Sequence, residues 1–203
     1  MMHALLLAAA TSTANLKSVR AMVYSLTYST PTEQYKGTIH ADVLGVTQDG
    51  GLVVRMSQTV DGDANGTFAQ ADCAVYPDTR VQCQKANALS AYENELAHLM
   101  GRKFINGDQL DDKNHWRIAG GAAGGTVTDD FTINSNTNGI LDITESRDLV
   151  INKETTHHAA SITYDLNHTL PTKLHFTDSS AANPKAALTA DIALTSDSLG
   201  AKL

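Results

Sequence analysis

Two cysteines, eight histidines and several paired acids are the side chains of this 203-residue sequence that could do chemistry. Cys73 and Cys83 stand symmetrically about a turn signal in ADCAVYPDTRVQC. If the strands pair around Pro77-Asp78-Thr79, Tyr76 faces Arg80, Ala74 faces Gln82 and the two cysteines face each other. Directly opposed residues of an antiparallel pair lie at a separation that a disulfide spans. These are the only cysteines, so a Cys73–Cys83 bridge is expected, no thiol is left as a nucleophile, and an oxidising compartment is favoured.

The histidines invite a metal reading, above all His157, His158, His168 and His175. A three-ligand zinc site needs side chains that meet near one point. If a hairpin turns about His168, Ile162 faces Leu174 and Ser161 faces His175, which puts His175 on the polar face. His157 and His158 are adjacent and point to opposite faces of a strand. Glu154 and Asp165 do not repair the spacing. The histidines are therefore expected on the polar face or in loops, and no metal ligand is assigned. The pairs Asp111-Asp112 and Asp129-Asp130 read as solvated surface, because neighbouring carboxylates on a strand diverge and make no glycosidase pair.

The run Gly120-Gly121-Ala122-Ala123-Gly124-Gly125 separates two strand-like segments and no lysine follows it, so it reads as a flexible hairpin loop and not as a phosphate cradle. No Gly-x-Ser-x-Gly elbow is present, and a Ser-His-Asp triad is recognised only in space. No catalytic residue and no cofactor is expected, which leans toward a non-enzymatic protein. Aromatic residues form 5% of the chain, too few for the platforms of a sugar-binding cleft. The single tryptophan, Trp116, is expected as a core plug beside a helix.

The elements that must position these residues are mostly strands. Period-two patterns run over Met22–Tyr28, Thr38–Val46 and Leu52–Met56, the last two joined by Gln48-Asp49-Gly50-Gly51, a hairpin signal. The cysteine hairpin spans Phe68–Gln84. Further strands are expected at His115–Ala119, Thr126–Ile133, Ile140–Thr144, His158–Leu166, Leu170–Thr177 and Ala187–Thr195, with Asn134–Gly139 as a loop. One helix is expected over Ser90–Met100. Ser90 and Glu93 form a capping box, Leu96, Leu99 and Met100 an apolar stripe, and Gly101 suits the residue that ends a helix. The fold class predicted is mainly β, an antiparallel meander of nine or ten strands forming a curved sheet or half-barrel with one packed α-helix.

Net charge is −7 and the basic residues are scattered from Lys17 to Lys202, which argues against nucleic acid as a partner. No stretch approaches the ~20 apolar residues of a transmembrane helix. Residues 1–14 carry the apolar run Ala4–Ala10 and the small-residue end Ser12-Thr13-Ala14, a signal- or leader-like segment that lacks a preceding Lys or Arg. Residues 15–203 are expected as a single β-rich domain.

Paired strands over Thr38–Val60, the helix over Ser90–Met100 and strands onward to Thr195 resemble, in the order of elements, the half-barrel lipoprotein carriers of bacterial envelopes. The departures are the absence of a lipobox cysteine near the N-terminus and the placing of both cysteines in an internal hairpin. That resemblance implies an exported protein, periplasmic or extracellular, which shelters a hydrophobic small molecule or lipid between sheet and helix. It carries over no binding residue. The side chains expected to line such a site are Leu96, Leu99, Met100, Ile39, Val43, Val54, Ile162, Leu174 and Ile192. Two other readings stay open: a structural or adhesive cell-surface subunit that self-associates through an open strand edge, and an envelope hydrolase using His and Asp side chains.

Overall fold

The alternating segments build eleven strands and one helix: β1 (Arg20–Ser29), β2 (Gln34–Val46), β3 (Leu52–Val60), β4 (Phe68–Val75), β5 (Val81–Cys83), α1 (Ala91–Leu99), β6 (His115–Ala122), β7 (Gly125–Thr137), β8 (Ile140–Ile151), β9 (Glu154–Asp165), β10 (Leu170–Ser180) and β11 (Asn183–Asp197). The computed structural model describes residues 17–62, 66–100, 105, 110–122 and 125–200. The leader-like residues 1–14 and the expected helix terminator Gly101 lie outside that set.

All eleven strands join one antiparallel sheet in the order β5-β4-β3-β2-β1-β11-β10-β9-β8-β7-β6. Sheet neighbours are chain neighbours except at the seam, where β1, already paired with β2, also pairs with β11 and sews two meanders together. The curved, mainly β sheet with one packed helix is therefore the fold, with one or two more strands than the sequence suggests. The sheet is open, and its ends are β5 and β6.

One face of the long strands is buried, as period-two alternation requires. Met22, Tyr24, Leu26 and Tyr28 of β1 point inward, as do Ala190, Ile192 and Leu194 of β11. Ile162 faces Leu174 and Ser161 faces His175, the register read from the sequence. Trp116 is buried and stacks on Phe131 at 4.8 Å between ring centres. The cysteine hairpin is also as read: Cys73 pairs with Cys83 and Ala74 with Gln82, the Tyr76 amide donates to the Arg80 carbonyl, and a disulfide joins the cysteines across 4.1 Å between Cα atoms.

Helix α1 lies on the inner face against β3, β5 and β10. Nine residues make a helix of about 14 Å, too short to be stable alone. Burial of Tyr92, Leu96, Leu99 and Met100 holds it, at roughly 1.5–3 kcal/mol for each large apolar side chain removed from water. Its start is fixed by the predicted capping box. The Glu93 amide donates to Ser90 Oγ at 3.0 Å and the Ser90 amide donates to Glu93 Oε2 at 2.8 Å. Ser90 Oγ also donates to Gln58 Oε1, and Gln58 Nε2 to the Gly66 carbonyl, so the cap is tied to β3.

Two expected loops are largely strand, and one expected strand is longer; Ala123 and Gly124 of the glycine run lie outside the described residues. Gly120, Gly121 and Ala122 belong to β6 and Gly125 to β7, because backbone pairing continues where side chains give no periodicity to read. The polar run after Ile133 stays in β7 to Thr137, leaving Asn138-Gly139 as a two-residue turn with φ of 55° and 84°, the conformation that Asn-Gly favours. Strand β8 runs to Ile151, seven residues past the expected end at Thr144.

Candidate functional site

The continuation of β8 carries the feature with most chemistry in it. Inward positions Leu141 and Ile143 are followed by Glu145 and Arg147 on the same face. Register then aligns Asp129 of β7, Arg147 of β8, His158 of β9 and Asp178 of β10 in one cross-strand row. Glu145 sits in the adjoining row, between Phe131 and Ala160. From above, α1 places Tyr92 against Tyr28 and, one turn later, lowers Glu95 onto Arg147 and His158.

The contacts are close and the site is buried. Arg147 Nη2 donates to Glu95 Oε1 at 2.5 Å, and Nη1 stands 3.8 Å from Glu145 Oε1. His158 Nδ1 donates to Asp178 Oδ1 at 2.7 Å. Its Nε2 lies 3.8 Å from Glu95 Oε2 and 3.7 Å from Glu145 Oε1, and makes no hydrogen bond. Side-chain exposure is 3% for His158 and 4% for Glu145, against 14% for Glu95, so a substrate could reach the group only if α1 moved. Phe176 packs on the imidazole at 5.2 Å.

Electrostatics follow from burial. Burial pushes the Glu145 carboxyl well above the usual carboxylate range, and the neighbouring Asp129 adds to it. Burial also raises Asp129, to about 6. The hydrogen bond between the two carboxyls acts in opposite senses on them, lowering Asp129 and raising Glu145 further. Burial is the largest influence on Glu95 and opposes its ionisation, but Arg147, His98 and His158 together outweigh it and hold that carboxyl below its ordinary value. His98, half-buried on α1, is lowered by burial.

This corrects two expectations. Asp129 is 4% exposed and not solvated surface, whereas Asp130 points outward to Arg117 and His115. His158 is core and not an ordinary polar-face residue. The other histidines named from sequence stay apart, each with its own acid: His157 with Asp148, His168 with Asp165 and His175 with Asp191.

A second feature lies at the far end of the sheet. The Asp178-to-Leu170 stretch of β10 leads away from the charged row over about 26 Å of strand to a cleft of about 1000 Å³. Met22, Leu170 and Met100 form its buried floor and Val43 and Leu52 its walls. Val19 and Leu199, two of the four large apolar side chains left exposed among the described residues, stand at its edge. Arg20 also lines it, but its guanidinium is held in a two-pronged pair with Asp197 at 2.8 and 2.9 Å and donates to the His168 carbonyl.

Of the nine side chains expected to line a ligand site, Val43 and Met100 are at this cleft. Leu96, Leu99, Ile39, Val54, Ile162, Leu174 and Ile192 belong with them to one packed core. Met22, Leu52 and Leu170 also line the cleft, and the inward phase of β1 and the start of β10 mark two of them in the sequence.

No protein-family model matches the chain, and no curated protein is significantly similar to it. Among solved structures, a chain of the Pseudomonas aeruginosa MucA/MucB complex is similar at 16% identity and a TM-score of 0.32. The overlap covers 89% of this chain and 52% of that one, so this chain spans about half its length. So loose an overlap bears on neither fold nor function.

Proposed function

We propose that the protein is an exported, non-enzymatic β-domain that takes an apolar or amphipathic, lipid-like ligand into the cleft at the C-terminal end of α1. The cleft carries the reading: its volume is at the upper end of the ~300–1,000 Å³ of small-molecule sites, its lining is mainly apolar with Asp49 and Thr169 as its other polar members, and its one cation, Arg20, is already paired. Exposed Val19 and Leu199 at the edge give an entering chain apolar surface. Export is supported by the Cys73–Cys83 disulfide, which persists in oxidising compartments. No helix among the described residues is long and apolar enough to cross a membrane. Organic extraction and mass spectrometry of protein purified without detergent should recover a stoichiometric lipid, lost on Val43→Asp substitution. Protein with no extractable ligand that also fails to take up offered fatty acid or phospholipid would contradict the reading.

A structural or adhesive role has its own observation. Strand β6 ends the sheet with eight residues and, among the described residues, no strand on its outer side, so a second chain could pair there. Light scattering at high concentration checks this, with a strict monomer counting against assembly.

A further inference from the structure

We propose that Glu95, Glu145 and His158 form a site for one divalent transition-metal ion of the zinc class, held between α1 and the inner face of the sheet. One ligand atom from each lies within 4.8 Å of the others. Nε2 of His158 is 3.7 Å from the Glu145 oxygen and 3.8 Å from the Glu95 oxygen. Ligands at about 2.1 Å from a tetrahedral zinc stand about 3.4 Å apart, so His158 is within a few tenths of an ångström of that spacing from each oxygen, and the two carboxylate oxygens, within 4.8 Å of one another, close by about 1.4 Å at most.

The orientation of His158 is the decisive observation. Its Nδ1 is hydrogen-bonded to Asp178, so Nε2 is the ring nitrogen turned toward the two carboxyl groups. That nitrogen is buried, has no hydrogen-bond partner and is aimed between two carboxylate oxygens. Three metal-ligating side chains converge on one point and the His158 Nε2 among them has no hydrogen-bond partner, which is the arrangement a bound cation resolves.

Each of the three ligands also has a partner behind it. Arg147 holds the second oxygen of Glu95, Asp129 is bonded to Glu145, and Asp178 fixes the imidazole. Such outer partners orient metal ligands and set their basicity. Four carboxyl groups, Glu95, Asp129, Glu145 and Asp178, lie around Arg147 and His158, and a bound cation would draw Glu145 into its ionised form. Two carboxylates and one imidazole suit zinc, manganese or iron(II), and leave a fourth position open.

Calorimetric titration of zinc chloride into chelator-treated full chain tests the site. One ion per chain should bind, and Glu145→Gln and Glu95→Gln should each weaken it at least 10-fold. Asp178→Asn should weaken it by about 10- to 100-fold, and His175→Ala, on the outer face, should leave it unchanged. Melting curves of each variant establish that the fold is intact, and Glu95→Gln, on the exposed side of the group, is the variant least able to disturb it. Cobalt(II) in place of zinc should give a visible band that Glu95→Gln alters. Absence of stoichiometric binding, or binding lost in His175→Ala and retained in the two glutamate variants, would overturn the proposal.

Discussion

Glu93 is the side chain whose chemistry is most exposed to test. It is completely buried, one carboxyl oxygen accepts from the Ser90 amide, and the other has no partner. Burial raises its carboxyl from 4.5 to about 7. The fold therefore favours the neutral acid. Its contribution to stability is full below pH 4.5, falls as pH rises through about 7, and is absent above. The size is on the order of 2–3 kcal/mol. The difference in denaturation midpoint between wild type and Glu93→Gln should vary with pH over that window and level off on both sides. A difference that is constant from pH 4.5 to 8 would mean that the carboxyl is solvated. Arg147 gives a second test at this scale. Arg147→Met leaves Glu95 without its cation and should cost about 3 kcal/mol in chemical denaturation. The pair itself was not legible in the sequence: Glu145-Ser146-Arg147-Asp148 has the polarity of a loop, and only backbone pairing to β7 and β9 reveals that alternate members face inward.

Among the elements, hairpins with turn chemistry of their own were legible and extensions without it were not. The cysteine hairpin could be registered residue by residue because Pro77-Asp78 fixed its centre, and the β9–β10 register followed from a turn at His168. The β8–β9 turn gave no such signal, being Asn152-Lys153 with φ of 51° and 71°. Lysine in that left-handed conformation costs about 1 kcal/mol. Lys153→Gly should therefore raise the midpoint of thermal unfolding, with a gain of about 1 kcal/mol; a loss would mean that the turn is not of the primed type. At the other end of the scale of order, α1 was fully legible because capping box and apolar stripe coincide. Ser90→Ala removes the cap and strands Gln58 and Glu93, and should cost about 1–2 kcal/mol by urea denaturation.

For the whole molecule, two meanders sewn at β1 and β11 make one inner face with unlike ends. One end buries a charged row under α1, and the other opens as an apolar cleft at Met100. The sequence shows the inner face, since alternation marks it strand by strand, but not which part of it stays uncovered. Among the described residues, that is decided by the short length of α1, which leaves Met22, Val43, Leu52 and Leu170 beyond its last turn. A crystal structure of the protein grown with a bromine-labelled fatty acid tests the central claim most directly. Anomalous bromine density between Met22, Leu52, Met100 and Leu170 is the predicted result, and bromine found only on the outer face, or nowhere, would contradict it.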